Sequence, residues 1–252
     1  MSRIIAVAGK GGVGKTTLAG LLVASLIRTG RRPVLAVDAD PNSCLDGVLG
    51  VKAERTVGRL REEARDEGAR AAASGMSKRE LLELKIAEGL VEAQDFDLIA
   101  MGRPEGPGCY CYANNVLREV LQEIAGSYPY VVLDNEAGLE NLSRRIVTRV
   151  DLLVLAGDPS RRGIETMARL HGLAREMGIE HAKLALVVNR LRRAMPAEAE
   201  ALREATGADL LLGLPDDDEL AGFGESGRSL LEIGAGNPVA RLVAERLVPL
   251  ID

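Results

Sequence analysis

The sequence predicts an α/β fold, a mostly parallel central sheet with helices on both faces. Three observations carry this. Short apolar runs recur along the chain with helical segments between them. The runs are continuous rather than alternating, so each strand is covered on both faces. The first run ends in a glycine-rich loop that opens onto a helix. A length of 252 residues suits one domain over 1–252, with no internal repeat and no linker.

Ile4–Ala8 reads as a buried strand because it is short, apolar and followed by glycine. Thr16–Thr29 reads as a helix with Leu18, Leu21, Leu22 and Leu26 on one side, stopped by Gly30 and Pro33. Val34–Val37 is a second strand ending at Asp38, and a loop over Asp38–Gly47 follows. Residues 54–92 are rich in Arg, Glu and Ala and read as mainly helical. Asp97–Met101 is a third strand, followed by glycine- and proline-rich Gly102–Gly108 and a helix over Asn114–Ile124. Tyr130–Leu133 is a strand ending at Asp134. Leu152–Ala156 and Leu184–Val188 are strands flanking a helix over Ile164–Met177. Leu210–Leu214 is the last strand, the acidic run Asp216–Glu219 a solvated helix start, and Pro238–Val248 the closing helix.

Composition narrows the function. Hydrophobic residues make up 46% and charged residues 27%, enough for a sizeable core and against long disorder. Aromatics are 2%, with no Trp, so base-stacking platforms for single-stranded nucleic acid are excluded. A net charge of −5 argues against a nucleic-acid backbone binder. No apolar run approaches the roughly 20 residues that span a bilayer, and Met1-Ser2-Arg3 leads straight into a strand, so a cytoplasmic protein with no membrane partner is expected. The three cysteines, Cys44, Cys109 and Cys111, are too few for a disulfide framework and read as reduced thiols or metal ligands. With His171 and His181 the only histidines, no His-rich metal site is available.

Gly9-Lys10-Gly11-Gly12-Val13-Gly14-Lys15-Thr16 fits the phosphate-binding pattern G-x-x-x-x-G-K-[ST], and its strand–loop–helix setting is the one the pattern requires. Glycines let the backbone wrap phosphates, and a helix N-terminus adds positive potential. Lys15 is expected to reach the β/γ-phosphates and Thr16 to ligate Mg²⁺. Lys10 is unusual: the chain has six lysines against 26 arginines, and two of the six stand in this loop. Cys109-Tyr110-Cys111 follows Gly106-Pro107-Gly108, which forbids helix, and in an extended segment residues i and i+2 share a side. Two thiolates leave a tetrahedral or square-planar metal half-filled, and a two-fold axis through the pair would supply four sulfurs. Zn²⁺ suits such a site, as does Ni²⁺ if the site flattens.

Lys-Gly-Gly-Val-Gly-Lys-Thr-Thr resembles the deviant Walker A loop of the MinD/ParA/nitrogenase-iron-protein class of P-loop NTPases. That resemblance implies ATP/ADP bound by Gly9, Gly11, Gly12, Val13, Gly14, Lys15, Thr16 and Thr17, with Lys10 crossing a homodimer interface to the partner's phosphates. It implies a Walker B role for Asp134, holding Mg²⁺ through water and opening switch II. Asp38-Ala39-Asp40-Pro41-Asn42 resembles switch I, with Asp40 orienting the attacking water and Asp38 nearer the metal shell. A helix cap or turn is the alternative for these two carboxylates. Asn189 resembles the adenine-reading residue, against a turn-capping Asn, and Pro215 with Asp216 is a weaker candidate for the base pocket. Gly102–Asn115, Asp134–Gly138 and Leu142–Arg145 resemble the CooC-type accessory ATPases that mature nickel carbon monoxide dehydrogenase. The resemblance covers nearly the whole chain and is weak over 52–92. It implies an Mg-ATP-dependent dimerising ATPase that binds Ni²⁺ or Zn²⁺ through Cys109 and Cys111 and assists nickel insertion into apo carbon monoxide dehydrogenase, or the related acetyl-CoA synthase. Arg103 and Arg118 flank the cysteines and either balance a tetrathiolate's charge or are ordinary surface residues. Cys44 is read as marking a nearby buried helix start, with a metal or redox role as the alternative. Two alternatives stand beside this. One is a ParA/MinD-type positioning ATPase, separable by vesicle co-sedimentation or a DNA-shift assay. The other is an iron–sulfur electron-transfer ATPase like nitrogenase iron protein, separable by a visible chromophore.

Overall fold

In the computed structural model the described residues are 2–42, 44–60, 62–63, 75, 77–102, 118, 121, 124–138 and 149–252. Cys109, Cys111, Arg103 and most of the helix expected over Asn114–Ile124 lie outside them.

Eight strands form one sheet: β1 (Arg3–Gly9), β2 (Val34–Asp38), β3 (Val91–Glu92), β4 (Phe96–Ala100), β5 (Tyr130–Asp134), β6 (Arg149–Gly157), β7 (Glu180–Leu191) and β8 (Leu210–Pro215). Their order across the sheet is β3-β4-β2-β5-β1-β6-β7-β8. Every pair is parallel except β3 with β4. The predicted sheet is therefore the observed one, with an antiparallel edge. That edge adds a strand at the end of the segment read as mainly helical over 54–92: β3 has two residues, too few to show a period.

The strands carry two cores because successive side chains point to opposite faces. Ile5 and Val7 pack on one face with α1 (Lys15–Arg28), while Ala6 and Ala8 pack on the other with α4 (Arg161–Glu176). Between these helices come α2 (Leu45–Leu49) and α3 (Lys78–Gly89); α5 (Ala197–Thr206), α6 (Asp218–Ser226) and α7 (Pro238–Leu242) follow α4. Leu18 to Leu26 of α1 are all buried, since the sheet lies on one side and the C-terminal segment on the other. Burying each such aliphatic side chain contributes about 1.5–3 kcal/mol. By contrast α4 keeps one apolar stripe, Ile164, Met167, Leu170 and Ala174, and an Arg-rich outer face.

Three expectations are adjusted. The loop after β2 ends at Cys44, where α2 begins, so Gly47 is helical; the helix start beside Cys44 is buried at Leu45, and Cys44, its N-cap residue, is itself exposed. The closing helix is α over Pro238–Leu242, then a π turn and a 3₁₀ turn, a widening that keeps Val243, Leu247, Val248 and Ile251 in the core. α5 has no counterpart in the sequence reading. Around residues 55–88 an ion-pair network forms: Arg55 pairs with Glu63 and, at 2.8 Å, with Glu88, while buried Lys85 lies 3.3 Å from Glu88.

Candidate functional site

The carboxyl ends of β1, β2, β5, β6, β7 and β8 place Gly9, Asp38, Asp134, Asp158, Asn189 and Pro215 along one edge of the sheet. Strand order reverses at β1, the kind of switch point where a crevice opens in such sheets.

The loop leaving β1 is fixed from both sides. Gly9 lies so close to β6 that a Cβ would meet the Ala156 carbonyl at 2.4 Å, which only glycine allows. On the other side, the Gly138 N–H donates to the Gly9 carbonyl at 3.0 Å, and the buried Asn135 donates from backbone and side chain to Val7 O. The segment after Asp134 is thus tied directly to the base of the loop. Gly14 caps α1 at φ 90°, in the left-handed region that favours glycine. Lys15 is buried, with Nζ 3.4 Å from the Lys10 carbonyl, whereas Lys10 itself is exposed.

Asp134 is the most telling side chain. It is 1% exposed, and neither carboxylate oxygen completes a hydrogen bond among the described residues. Burial pushes its pKa up to about 7; the Thr16 hydroxyl and Lys15 pull downward, and Asp38 and Asp40 push further up. A buried carboxylate with only the Thr16 hydroxyl beside it as a donor, and no hydrogen bond of full geometry, calls for a cation. Beside it stand the Thr16 hydroxyl and the mouth of the glycine loop, a hard-oxygen donor set that fits Mg²⁺.

Asp38 is paired in register with Asp134 on the neighbouring strand, but its oxygens are engaged. They accept from the backbone N–H groups of Asp40 (3.0 Å), Cys44 (2.8 Å) and Leu45 (2.9 Å). Burial raises its pKa to about 6 against those three hydrogen bonds. Its visible work is therefore to fold the loop and start α2, the capping alternative. Asp40 is half-buried and accepts through Oδ1 from the Asn42 backbone (2.8 Å) and side chain (2.9 Å).

Asn189 lies at a bulge in β7, with Arg190 next to it at φ 56°. Its Nδ2 donates to Val13 O at 2.8 Å and its Oδ1 accepts from Arg190 N at 3.0 Å. One amide N–H and one lone pair remain, the complement of adenine's N6/N7 edge. Gly14, Thr17, Leu18, Asn189, Pro215 and Asp216 share the lining of one cleft, where the weakly signalled Pro215 and Asp216 also belong. Asp216 is held by Arg192 at 2.6 Å.

Asp158 was absent from the sequence reading. The Ser160 side chain, against some desolvation, holds its carboxyl below the usual range, and the Lys10 ammonium adds to this. Its signal was the one that marked Asp134, an acid where an apolar strand ends. The Met101 N–H donates to Asp38 O at 2.8 Å, so the chain leaves toward the cysteine segment from the strand beside the Asp38 loop. His171 and His181 come together with ring centroids 6.3 Å apart, near the start of β7 and so away from this edge. No group of three or more His, Cys, Asp or Glu side chains converges as metal ligands among the described residues.

The electrostatics carry a pH prediction. Asp134 and Asp38 have folded pKa values above their ordinary ones, so their contribution to stability is present below about pH 4 and is lost as pH rises through about 6 to 7. A cation on Asp134 offsets that loss. Mg-ADP is therefore expected to raise Tm more at pH 8 than at pH 6, and Asp134→Asn is expected to flatten the difference. Thermal unfolding at the two pH values, with and without Mg-ADP, checks this.

Residues 4–230 match the family model of the CobQ/CobB/MinD/ParA nucleotide binding domain. An uncharacterized ATP-binding protein of Methanocaldococcus jannaschii is 41% identical over 254 residues, covering 99% of this chain and 98% of that protein. The carbon monoxide dehydrogenase accessory protein CooC of Rhodospirillum rubrum is 32% identical, covering 97% of this chain and 94% of its own length. Among solved structures, the cell division ATPase MinD of Pyrococcus furiosus superimposes with a TM-score of 0.70 at 21% identity, over 99% of this chain and 100% of that one. The MinD of Pyrococcus horikoshii complexed with Mg-ADP gives 0.68 at 20% identity, over 100% and 99%. With the glycine loop, the buried Asp134 and the parallel sheet in these places, the chain belongs to the CobQ/CobB/MinD/ParA family of nucleotide-binding domains and is a P-loop ATPase of the MinD/ParA class.

Proposed function

We propose that this ATPase is a one-domain, nucleotide-gated homodimer of the cytoplasm. It takes up Ni²⁺ or Zn²⁺ through Cys109 and Cys111 and assists nickel insertion into apo carbon monoxide dehydrogenase or acetyl-CoA synthase. The observation carrying the ATPase part is Asp134, a buried carboxylate beside a phosphate loop, with the Thr16 hydroxyl next to it and no geometrically complete hydrogen bond to either oxygen. The likeness to the Rhodospirillum rubrum accessory protein over nearly the full length of both chains supports the maturation role.

The reaction is ATP + H₂O to ADP + phosphate. Gly11 to Thr17 wrap the phosphates with backbone N–H groups at the start of α1, and Lys15 reaches the β/γ-phosphates from its buried position. Thr16 and Asp134 would hold Mg²⁺, Asp134 through water. Bound there, Mg²⁺ supplies charge neutralisation at the phosphate oxygens. Asp40 accepts a hydrogen bond from the attacking water and so aims it. Lys10, exposed at the rim, reaches the partner's ATP once two chains close on each other. Asn189 reads adenine in the cleft floored by Pro215. Among the described residues no helix is long and apolar enough to cross a membrane, which suits the cytoplasmic reading.

Asp40→Ala tests the switch I part. It is expected to retain Mg-ATP binding, to lose hydrolysis by about 10²-fold or more, and to accumulate as a closed dimer, because the water loses its partner while the phosphate contacts remain, the Asn42 hydrogen bonds to Asp40 being lost with it. Analytical ultracentrifugation in saturating ATP reads this directly. A wholly monomeric variant would remove Asp40 from that role.

A further inference from the structure

We infer that Asn189 is a positioning residue for the phosphate loop as well as a reader of the base, so that it aims the Gly14 N–H at the phosphates even when no base is present. This rests on the nucleotide-site reading above.

The peptide between Val13 and Gly14 sets the direction of the Gly14 N–H. A trans peptide is planar, and its C=O and N–H point in opposite directions. Pinning one end therefore aims the other. The Val13 carbonyl is pinned by Asn189 Nδ2 at 2.8 Å. The Gly14 N–H then faces away from Asn189. The same Nδ2 would lie 2.6 Å from a Cβ at Gly14, so it abuts the loop at its left-handed residue. Gly14 has no side-chain cap to hold it, although its carbonyl already accepts from Leu18 N at 2.9 Å. The contact from β7 is the side-chain brace that the described residues provide at this point.

Asn189 is itself held. Its Oδ1 accepts from Arg190 N at 3.0 Å, and Arg190 itself adopts φ 56°. A non-glycine residue in that region is strained. That conformation falls within the bulge of β7 that carries Asn189. A residue that only read the base would have no need of a carbonyl in the phosphate loop.

Magnesium tripolyphosphate, which has phosphates and no base, separates the two roles. Asn189→Ala is expected to weaken tripolyphosphate binding by about fivefold, the weight of one hydrogen bond, and to weaken ATP binding further because base reading is lost as well. Pro215→Ala is expected to weaken ATP alone. In nuclear magnetic resonance spectra the Gly14 amide signal should shift on tripolyphosphate binding in the parent protein and shift less in Asn189→Ala. A fold defect would not produce this selective loss at one amide. Asn189→Asp keeps the shape and replaces the donor with an acceptor, so it should weaken tripolyphosphate at least as much. If the substituted proteins do not fold, the parent's Asn189 side-chain amide decides: it must stay protected from exchange when tripolyphosphate alone is bound. ATP weakened with tripolyphosphate unchanged in Asn189→Ala would overturn the brace. A parent protein that binds ATP no better than tripolyphosphate would instead overturn base reading in the cleft, and the brace would then be decided by the tripolyphosphate comparison alone.

Discussion

Lys10→Gln is expected to keep ATP binding and to lose hydrolysis by about 10³-fold, the scale of a charge supplied in trans. Lys15→Gln is expected to lose binding itself. The two lysines stand five residues apart in one loop, but their surroundings differ. Lys15 is 7% exposed, and its attraction lowers the pKa of Asp134. Removing its charge leaves that carboxylate and the incoming phosphates without compensation inside one chain. Lys10 is exposed and acts on Asp158 only as one of the weaker influences on its carboxyl, so its removal disturbs little in the isolated chain. Its expected effect appears only when charge develops on a partner's γ-phosphate. Titration with a fluorescent ATP analogue, beside phosphate release, separates binding from turnover. Parent-level hydrolysis by Lys10→Gln would contradict the role assigned to this loop.

Much of this architecture was legible because parallel strands write themselves as continuous apolar runs. Tyr130–Asp134 and Val34–Asp38 are such runs, each closed by an acid. The phosphate loop was legible because glycine spacing is dictated by backbone geometry, and Gly9 and Gly14 show why: one faces a carbonyl at 2.4 Å from its would-be Cβ, the other sits at φ 90°. What escaped was whatever depends on neighbours. β3 exists because Val91 and Glu92 pair with Leu98 and Asp97, not because of a pattern of their own. α5 buries only Ala199 and Leu202, too faint a stripe to read. The ends of β6 and β7 carry Arg149, Glu180 and Lys183, polar residues kept in the sheet by backbone pairing. At the site, the acids after β2 could be listed but not sorted. Only the contacts show that Asp38 spends its oxygens on the Asp40, Cys44 and Leu45 amides while Asp134 has no backbone amide to spend them on and only the Thr16 hydroxyl beside it. The brace from Asn189 to Val13 joins residues 176 positions apart, a separation no local pattern reports.

The central claim is that nucleotide and metal act on one dimer. The chain runs toward Cys109 and Cys111 from the end of β4, where Met101 donates to the Asp38 carbonyl, and the phosphate loop opens from the same edge of the sheet. A dimer that carries Lys10 to its partner's ATP is then expected to bring the two cysteine pairs together, and linkage makes each ligand sensitive to the other. The most direct measurement is an equilibrium Ni²⁺ titration of the parent and of the Cys109→Ser, Cys111→Ser double variant, followed by analytical ultracentrifugation with and without Mg-ATP. The account predicts one metal per two chains on four thiolates, an affinity that changes with nucleotide and weakens at low pH as thiolates protonate, and complete loss of that metal in the double variant with Mg-ATP binding retained. One metal per chain, or metal binding unchanged in the double variant, would contradict it.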